Sequence, residues 1–367
     1  MKKLPLLLAA IVLSGCADQK ILEKVGFTRT ISFEKAEDAE DGRIKVSFSL
    51  PKTTQKESIF YSTEARSMRQ ARLIFDRQND RRIVNGQLRQ VLFGASLAQE
   101  GIWKHFDSLL RDPSVGNRVH VLIAEGDVAQ LLNKKYPQGS TAGEYIDNLI
   151  RTETKVMDVP DTNLYTFARD YYDDGIEPVA TILKETPNSI IIDGIALFRG
   201  DRYVARIPAE DKMYFGLLRG GVRAGDLFLD FPDKQYSSEL STLLYFASRR
   251  NVKATRTGPI MDGLGLKVDL RLTLRGSLLE YNGDLHLERP EDQKKLEAEA
   301  ARFVQGKCES IIATMQEAKA DGMGIGQYVR NTMSYREWKK LDWPEAFSRA
   351  KIDVHVEISI KDYGKIQ

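Results

Sequence analysis

Cysteine and histidine are scarce in this sequence of 367 residues, and their scarcity limits how the fold can be stabilised and what chemistry it can carry. There are two cysteines, Cys16 and Cys308, and four histidines. If Cys16 is modified, as argued below, no internal disulfide can form and the fold depends on its hydrophobic cores. C-x-x-C and H-E-x-x-H motifs are absent, and no two histidines are spaced as metal ligands. We therefore expect no metal and no cofactor.

An excess of charge of one sign is also missing. The chain has 54 lysines and arginines against 52 acidic residues. Two of the bases, Lys2 and Lys3, lie in a predicted leader, so the mature chain would carry 52 of each sign. Nucleic acids need a basic field, so we expect no nucleic-acid partner. The balance does not indicate a polybasic membrane patch either.

Long hydrophobic runs are absent except near the N-terminus. Lys2-Lys3 precede the apolar run Leu4–Leu13, which is followed by Ser14, Gly15 and Cys16. A basic start, a short apolar core and small residues form the pattern of a secretory signal peptide. The run is about half of the roughly 20 residues that a spanning helix needs. A cysteine directly after the small pair is similar to the lipobox of bacterial lipoproteins. This resemblance implies cleavage after Gly15 and a diacylglyceryl group on the Cys16 sulfur.

The N-terminal motif therefore predicts a lipid as the membrane anchor. Residues 1–15 form the predicted signal peptide, and residues 16–23 form a lipid-anchored tether that keeps the folded part close to the bilayer. Stable anchoring needs two or more acyl chains, which diacylglycerol with an added palmitate would supply. The alternative is an N-terminal anchor helix with an incidental cysteine.

Residues 24–207 are predicted to form an N-terminal α/β region with room for two subdomains. Period-two alternation between Val25 and Phe33, and again between Ile44 and Leu50, predicts a hairpin around an acidic turn. We interpret residues 58–110 as helices around one short strand.

Three further patterns extend this region. The continuous apolar run Val119–Ala124 is typical of a strand buried on both faces, and Asp127 is expected to cap the next helix. Helices are predicted at 145–150 and 164–172, and a hairpin at 190–207. A short helix should follow Pro208, and we place the domain boundary within 208–222.

Residues 208–367 are predicted to form a C-terminal α+β domain, in which a long helix packs on an antiparallel sheet. Leucine and valine alternate with polar residues from Leu264 to Leu274, as in a strand with one wet face. Pro290 opens a helix whose apolar stripe runs to Met315. The fold class is thus α+β and multi-domain, with two to three small domains.

The end of the chain contains shorter elements. Gly322, Gly324 and Gly326 are expected to supply a left-handed cap to the long helix. A short helix should carry Trp338 and Trp343, and an alternating strand from Ile352 to Ile360 should close the fold.

Candidate catalytic residues are few. Ser348 and Lys351 match S-x-x-K, but the partner motifs S-D-N and K-T-G of the serine–lysine enzymes are absent. Asp170, Asp173 and Asp174 could act as paired carboxylates or bind calcium, although we favour a solvated loop. We expect His355 to be solvated on its strand. Cys308, on the apolar side of the long helix, is expected to be a buried and inert thiol.

The order of several segments resembles the Ger(x)C family, the lipoprotein C subunits of the nutrient germinant receptors of spore-forming Firmicutes. The segments that carry this resemblance, in chain order, are the lipobox 13–16, 94–102, 109–112, the strand 119–124, 193–201, 276–280, 321–326, 343–347 and the last strand, which ends near Gly364. The family commonly has Trp-Asp after the lipid cysteine, where this chain has Ala17-Asp18.

The resemblance implies three small α+β domains of unusual topology and no enzymatic activity. It also implies a place on the outer face of the spore inner membrane, beside an A-type subunit and a permease-like B-type subunit. The function that it implies is a lipid-anchored receptor subunit needed for nutrient-triggered germination. Direct binding of a small molecule stays open. The alternative functions are a solute-binding lipoprotein of a transporter and an envelope hydrolase using Ser348 and Lys351.

Overall fold

The structure is a computed structural model that describes most of the chain. The described residues are 25–36, 42–52, 57–137, 141–155, 159–220, 222, 225–231, 239–258 and 265–363. The predicted leader, Gly15, Cys16 and the tether lie outside them, as does most of the acidic turn after Lys35. Within the described ranges, no helix is both long and apolar enough to cross a membrane.

The elements fall into two large sheets with their helices. The strands are β1 (Val25–Phe27), β2 (Thr30–Lys35), β3 (Ile44–Pro51), β4 (Ser58–Ala65), β5 (Arg82–Val84), β6 (Gln90–Gly94), β7 (His120–Glu125), β8 (Val179–Glu185), β9 (Ile190–Arg199), β10 (Arg202–Pro208), β11 (Leu227–Phe231), β12 (Glu239–Arg256), β13 (Leu266–Asn282) and β14 (Lys351–Asp362). The helices are α1 (Met68–Asp76), α2 (Ala95–Glu100), α3 (Trp103–Leu110), α4 (Val128–Asn133), α5 (Ala142–Lys155), α6 (Leu164–Tyr172), α7 (Lys212–Arg219), α8 (Pro290–Glu317), α9 (Ile325–Arg330), α10 (Tyr335–Trp338) and α11 (Trp343–Arg349).

The first sheet has eight strands in the order β10-β9-β8-β7-β6-β2-β3-β4. Its centre, from β2 to β8, is parallel, and antiparallel hairpins form both ends. Parallel strands are covered on both faces, which explains the continuous apolar run of β7. One face packs on α1, α2, α3 and α6, and the other packs on α4 and α5. The buried strand is confirmed, and so is the cap, because the Asp127 side chain accepts a hydrogen bond from the backbone N–H of Gln130 at 2.8 Å.

Two predictions for the N-terminal region were wrong, and one strand was missed. β1 does not belong to the β2–β3 hairpin, because it pairs in parallel with β5 in a separate two-stranded sheet. Residues 58–65 form the edge strand β4, whose irregular burial hides the strand period. β8 was not predicted at all, although it is a buried apolar run like β7. The helices α5 and α6 and the β9–β10 hairpin are confirmed.

The second sheet has the order β11-β12-β13-β14, with α8 packed on its apolar face. The α+β fold class with a long packed helix is therefore confirmed. The apolar stripe of α8 is also confirmed. The helical spacing predicts Phe303 as one of its members, but Phe303 is only partly buried, and its neighbour Val304 is fully buried instead. The sheet is antiparallel from β11 to β13, but β14 joins β13 in parallel. A parallel neighbour requires a long crossover, which α8 to α11 provide.

The turn after α8 differs from the prediction. Lys319, with φ of 54°, is the left-handed residue after this helix, and Gly324, with φ of 73°, precedes α9 instead. Trp338 and Trp343 lie on two helices, α10 and α11, rather than on one. The domain boundary within 208–222 stays a prediction.

Strand β9 contributes to two hydrophobic cores. Ile195 and Leu197 belong to the core of the second sheet, whereas Ala196 and Phe198 belong to the core under the first sheet. Successive side chains on a strand point to opposite faces, so one strand serves both cores. The core that contains α8 therefore packs directly against β9 of the eight-stranded sheet.

Candidate functional site: a cleft between the two halves of the chain

A cleft of about 510 Å³ lies between residues that precede and residues that follow the predicted boundary. The earlier half contributes the end of α5, the segment 159–162 and α6. The later half contributes α7, Arg250 on β12 and the start of α9. Its volume is in the range of small-molecule sites, about 300–1,000 Å³. The cleft is therefore the candidate functional site.

A buried ion pair lies next to the cleft and includes one of its lining residues, Arg219. Asp170 of α6 is 2% exposed, and its Oδ2 lies 2.6 Å from Nη2 of Arg219 on α7. Arg219 also donates to the carbonyl of Gly322. Burial lowers the pKa of Arg219, and the charge of Asp170 opposes this shift. The other carboxylate oxygen of Asp170 accepts from Nε of Arg169 at 2.8 Å, so one carboxylate serves two guanidinium groups.

A third guanidinium group, that of Arg250, lines the cleft without such a partner. Its Nη2 donates to the Met323 carbonyl at 3.0 Å, and its Nη1 donates to the Arg219 carbonyl at 3.3 Å. Its Nε is buried and has no hydrogen-bond acceptor. Among the described residues, no carboxylate forms an ion pair with it. Its Cζ lies 5.4 Å from the centre of the Tyr328 ring, in a cation–π contact. Burial lowers the pKa of Arg250.

The predicted solvated acidic loop after α6 is instead an ion-paired seam. Asp173 accepts from Arg330 and Gln327, each at 2.9 Å, and Asp174 accepts from Arg330 at 2.9 Å and from Lys339 at 2.7 Å. Burial would raise the pKa of Asp173, but a hydrogen bond from the Gly175 backbone N–H, together with those from Gln327 and Arg330, holds it below its usual value. The interpretation as a solvated loop was therefore wrong. Asp170 is engaged separately by the arginines of the cleft.

The glycine-rich segment 321–326 packs against the same seam. The buried carboxylate of Asp321 accepts from the backbone N–H groups of Ile325 and Gly326 and from the Trp343 indole, at 2.8–3.2 Å. A Cβ on Gly326 would lie 2.6 Å from the Trp343 ring and 2.8 Å from Cα of Gly175. This position therefore requires glycine because two chain segments approach closely.

Glu177 lies just beyond the seam. Its Oε2 accepts from the backbone N–H of Gly200 at 2.7 Å. Burial raises the pKa of Glu177 to about 7, and the negative charge of Asp321 adds to the shift. This carboxyl group is therefore expected to gain or lose its proton near neutral pH.

The sequence candidates for catalysis are not brought together. Ser348 Oγ donates to the Glu345 carbonyl at 2.8 Å, and Lys351 Nζ lies 3.8 Å from an oxygen of Asp353. His355 is exposed, as predicted. Over the part of the chain that the structure describes, no group of three or more His, Cys, Asp or Glu residues could hold a metal ion.

Cys308 is fully buried, and burial raises the pKa of its thiol. The prediction of a buried thiol is confirmed. The remaining histidines are dispersed. His105 stacks on Phe33 at 5.6 Å, and burial lowers its pKa to about 4, whereas His120 lies 3.7 Å from Asp161.

Sequence reasoning missed Arg219 and Arg250. A signal for Arg250 existed, because it lies in phase with Val252 and Ala254 on the apolar face of β12. It pairs with Leu272, which is buried on that face. No such signal existed for Arg219, since its partner Asp170 lies 49 residues away in sequence.

Comparisons with known proteins agree on one family. The model "Spore germination protein N-terminal domain" matches residues 18–185, and "Spore germination B3/ GerAC like, C-terminal" matches residues 193–364. The spore germination protein GerQC of Bacillus cereus is 22% identical over 363 residues, covering 98% of this chain and 97% of that protein. The putative spore germination protein YfkR of Bacillus subtilis strain 168 is 23% identical over 391 residues, covering 98% and 96%.

The fold has a match among solved structures. The crystal structure of the GerBC protein superposes with a TM-score of 0.57 at 15% identity, covering 93% of this chain and all of that one. The first family model ends with β8 and the second begins at residue 193, within β9, so the two models divide the eight-stranded sheet. On this basis the chain belongs to the Ger(x)C family of spore germination proteins.

Proposed function

We propose that this protein is a lipid-anchored, non-enzymatic subunit of a nutrient germinant receptor. It would sit on the outer face of the spore inner membrane and act through contacts with an A-type and a B-type membrane subunit. The observation that carries the proposal is the match of the two spore germination models to residues 18–185 and 193–364. A role in spore germination is named for both curated relatives.

The anchor is supported by the sequence around Cys16. The order of Lys2-Lys3, an apolar run too short to span a bilayer, and Ser14-Gly15-Cys16 is what lipoprotein processing requires. The proposal of a non-enzymatic subunit is supported by the separate engagement of Ser348 and Lys351 with other groups.

A pair of cysteine variants tests the anchor and the role together. Cys16→Ala should abolish lipidation, release the protein from the membrane and slow nutrient-triggered germination to the rate of a strain lacking the gene. Cys308→Ala is the matched control, because it removes the buried thiol but leaves the lipobox intact. It should retain the lipid and the wild-type response.

Mass spectrometry of the N-terminal peptide provides the chemical measurement. We expect a diacylglyceryl group on the Cys16 sulfur and no residues from 1–15. An unmodified sulfur with the leader attached would exclude the lipid anchor. Normal germination of the deletion strain on every nutrient would exclude the receptor role, whatever the state of the sulfur.

A further inference from the structure

We propose that the cleft is a binding site for a small organic carboxylate, which the guanidinium group of Arg250 receives. This inference goes beyond the proposed function and does not depend on it, because it concerns binding by the purified protein. Nothing in the sequence resemblance assigns a ligand to this cleft.

Arg250 has N–H donors that its contacts within the protein do not use. A guanidinium group has five N–H donors, and the contacts of Arg250 use one on each terminal nitrogen, both to backbone carbonyls. Its Nε is enclosed by the protein, so the donors left for a ligand are the second N–H groups of the two terminal nitrogens. Within the described part of the chain, the Asp321 carboxylate attracts Arg250 but forms no ion pair with it, and a bound anion would supply a hydrogen-bonded counter-charge.

The other two guanidinium groups of the cleft are already engaged in ion pairs, in which they share one carboxylate. Arg169 and Arg219 both pair with Asp170, each within 2.7 Å. Asp161 is a carboxylate of the lining itself; it is exposed and lies beside His120. Among the described residues, Arg250 is the guanidinium group of the cleft that makes no ion pair, although the more distant Asp321 carboxylate attracts it. An anion is therefore directed to this end of the cleft.

The apolar part of the lining indicates what the rest of the ligand looks like. Besides its polar groups, the cleft is lined by Val159, Ile176, Val222 and Met323 and by the ring of Tyr328. A few convergent polar groups on an apolar wall are typical of small-molecule sites. The matching ligand has one oxyanion and a short apolar or aromatic body.

A carboxylate fits this site better than a phosphate. The planar fork of a guanidinium group can hold either group by paired hydrogen bonds. A phosphate monoester carries nearly two negative charges at neutral pH, and a carboxylate carries one. Asp161 also lines the cleft, and its negative charge repels a dianion more strongly than a monoanion, so a carboxylate is favoured.

The test is calorimetry on the purified full-length mature protein in detergent, at low ionic strength. The probes are benzoate, its neutral isostere benzamide, and inorganic phosphate. We expect saturable benzoate binding with a Kd below about 1 mM, and benzamide binding weaker by about tenfold or more. Absence of saturable benzoate binding, equal binding of benzamide, or tighter binding of phosphate would each overturn the proposal.

The matched variants are Arg250→Gln and Arg249→Gln. Arg249 is the adjacent residue on β12, and it is exposed on the opposite face of the sheet. We expect Arg250→Gln to weaken benzoate binding about tenfold or more, and Arg249→Gln to change it less than about twofold. Equal effects of the two substitutions would show a diffuse charge effect and refute the site.

Arg250→Gln also removes two hydrogen bonds to backbone carbonyls, so a second variant guards against loss of fold. Tyr328→Leu alters a partly exposed ring on the wall of the cleft, where 38% of the residue is accessible. Leucine keeps apolar bulk and helix propensity. We expect the benzoate Kd to rise about threefold or more in this variant, since its aromatic wall is lost. An unchanged Kd in folded Tyr328→Leu would place the benzoate elsewhere.

Discussion

Glu177 offers a stringent test of the electrostatics near the seam. Its carboxylate accepts a hydrogen bond from the Gly200 N–H, and burial raises its pKa from 4.5 to about 7. The substitution Glu177→Gln keeps an oxygen that can accept this bond and removes the ionisation. The variant therefore resembles the wild-type protein with Glu177 protonated.

The expected magnitude follows from the pKa shift. A group with a raised pKa in the folded state contributes stability that is present below the unfolded pKa and lost as the pH rises to the folded pKa. At 1.36 kcal/mol per pKa unit, the shift corresponds to a loss of up to about 3 kcal/mol. The loss should develop between about pH 4.5 and about pH 7 and level off above that.

The assay is urea unfolding of both proteins at several values between about pH 4 and about pH 8, followed by tryptophan fluorescence. The difference in free energy of unfolding, Glu177→Gln minus wild type, should rise with pH by up to about 3 kcal/mol. Other titrating groups, such as His105, occur in both proteins and cancel in this difference. A difference independent of pH would refute the assignment of the raised pKa to Glu177.

Two further pairs of substitutions test packing and charge, and each is measured by urea unfolding. Gly326→Ala should destabilise the fold by about 1–3 kcal/mol, because its Cβ meets an indole ring and a backbone atom, whereas Gly306→Ala in α8 meets nothing within 4 Å and should stabilise it by about 0.5–1 kcal/mol. Equal effects would contradict the close approach. Asp170→Asn should cost about 3–5 kcal/mol by leaving Arg219 buried without its partner, whereas Asp107→Asn, in an exposed ion pair, should cost less than about 1 kcal/mol. A small loss for Asp170→Asn would mean that Arg219 finds other compensation.

Elements with a local period could be predicted from the sequence, and pairings between distant segments could not. The α8 stripe, the β13 alternation and the β7 run each report burial through residues that are neighbours in sequence. The choice of β5 as partner for β1, and the parallel direction of β14, depend on where the chain returns. No periodicity contains that information.

The candidate site was hard to predict for the same reason. Asp173 and Arg330 are 157 residues apart in sequence, so the acidic run after α6 resembled a solvated loop. Arg250 could have been predicted from the sequence, because a charged residue in phase with apolar neighbours on a strand marks an unusual buried position. The lipobox is different, since Cys16 and its processing signal are contiguous and need no folded partner.

The sharing of β9 between two cores has a mechanical consequence. A slip of this strand by one residue would exchange Ile195 and Leu197 with Ala196 and Phe198, so both cores would lose their packing at once. Neither core can lose its packing on β9 without disturbing the other core. The regions matched by the two family models should therefore unfold in one cooperative transition. A force applied to one region would be transmitted through β9 to the other.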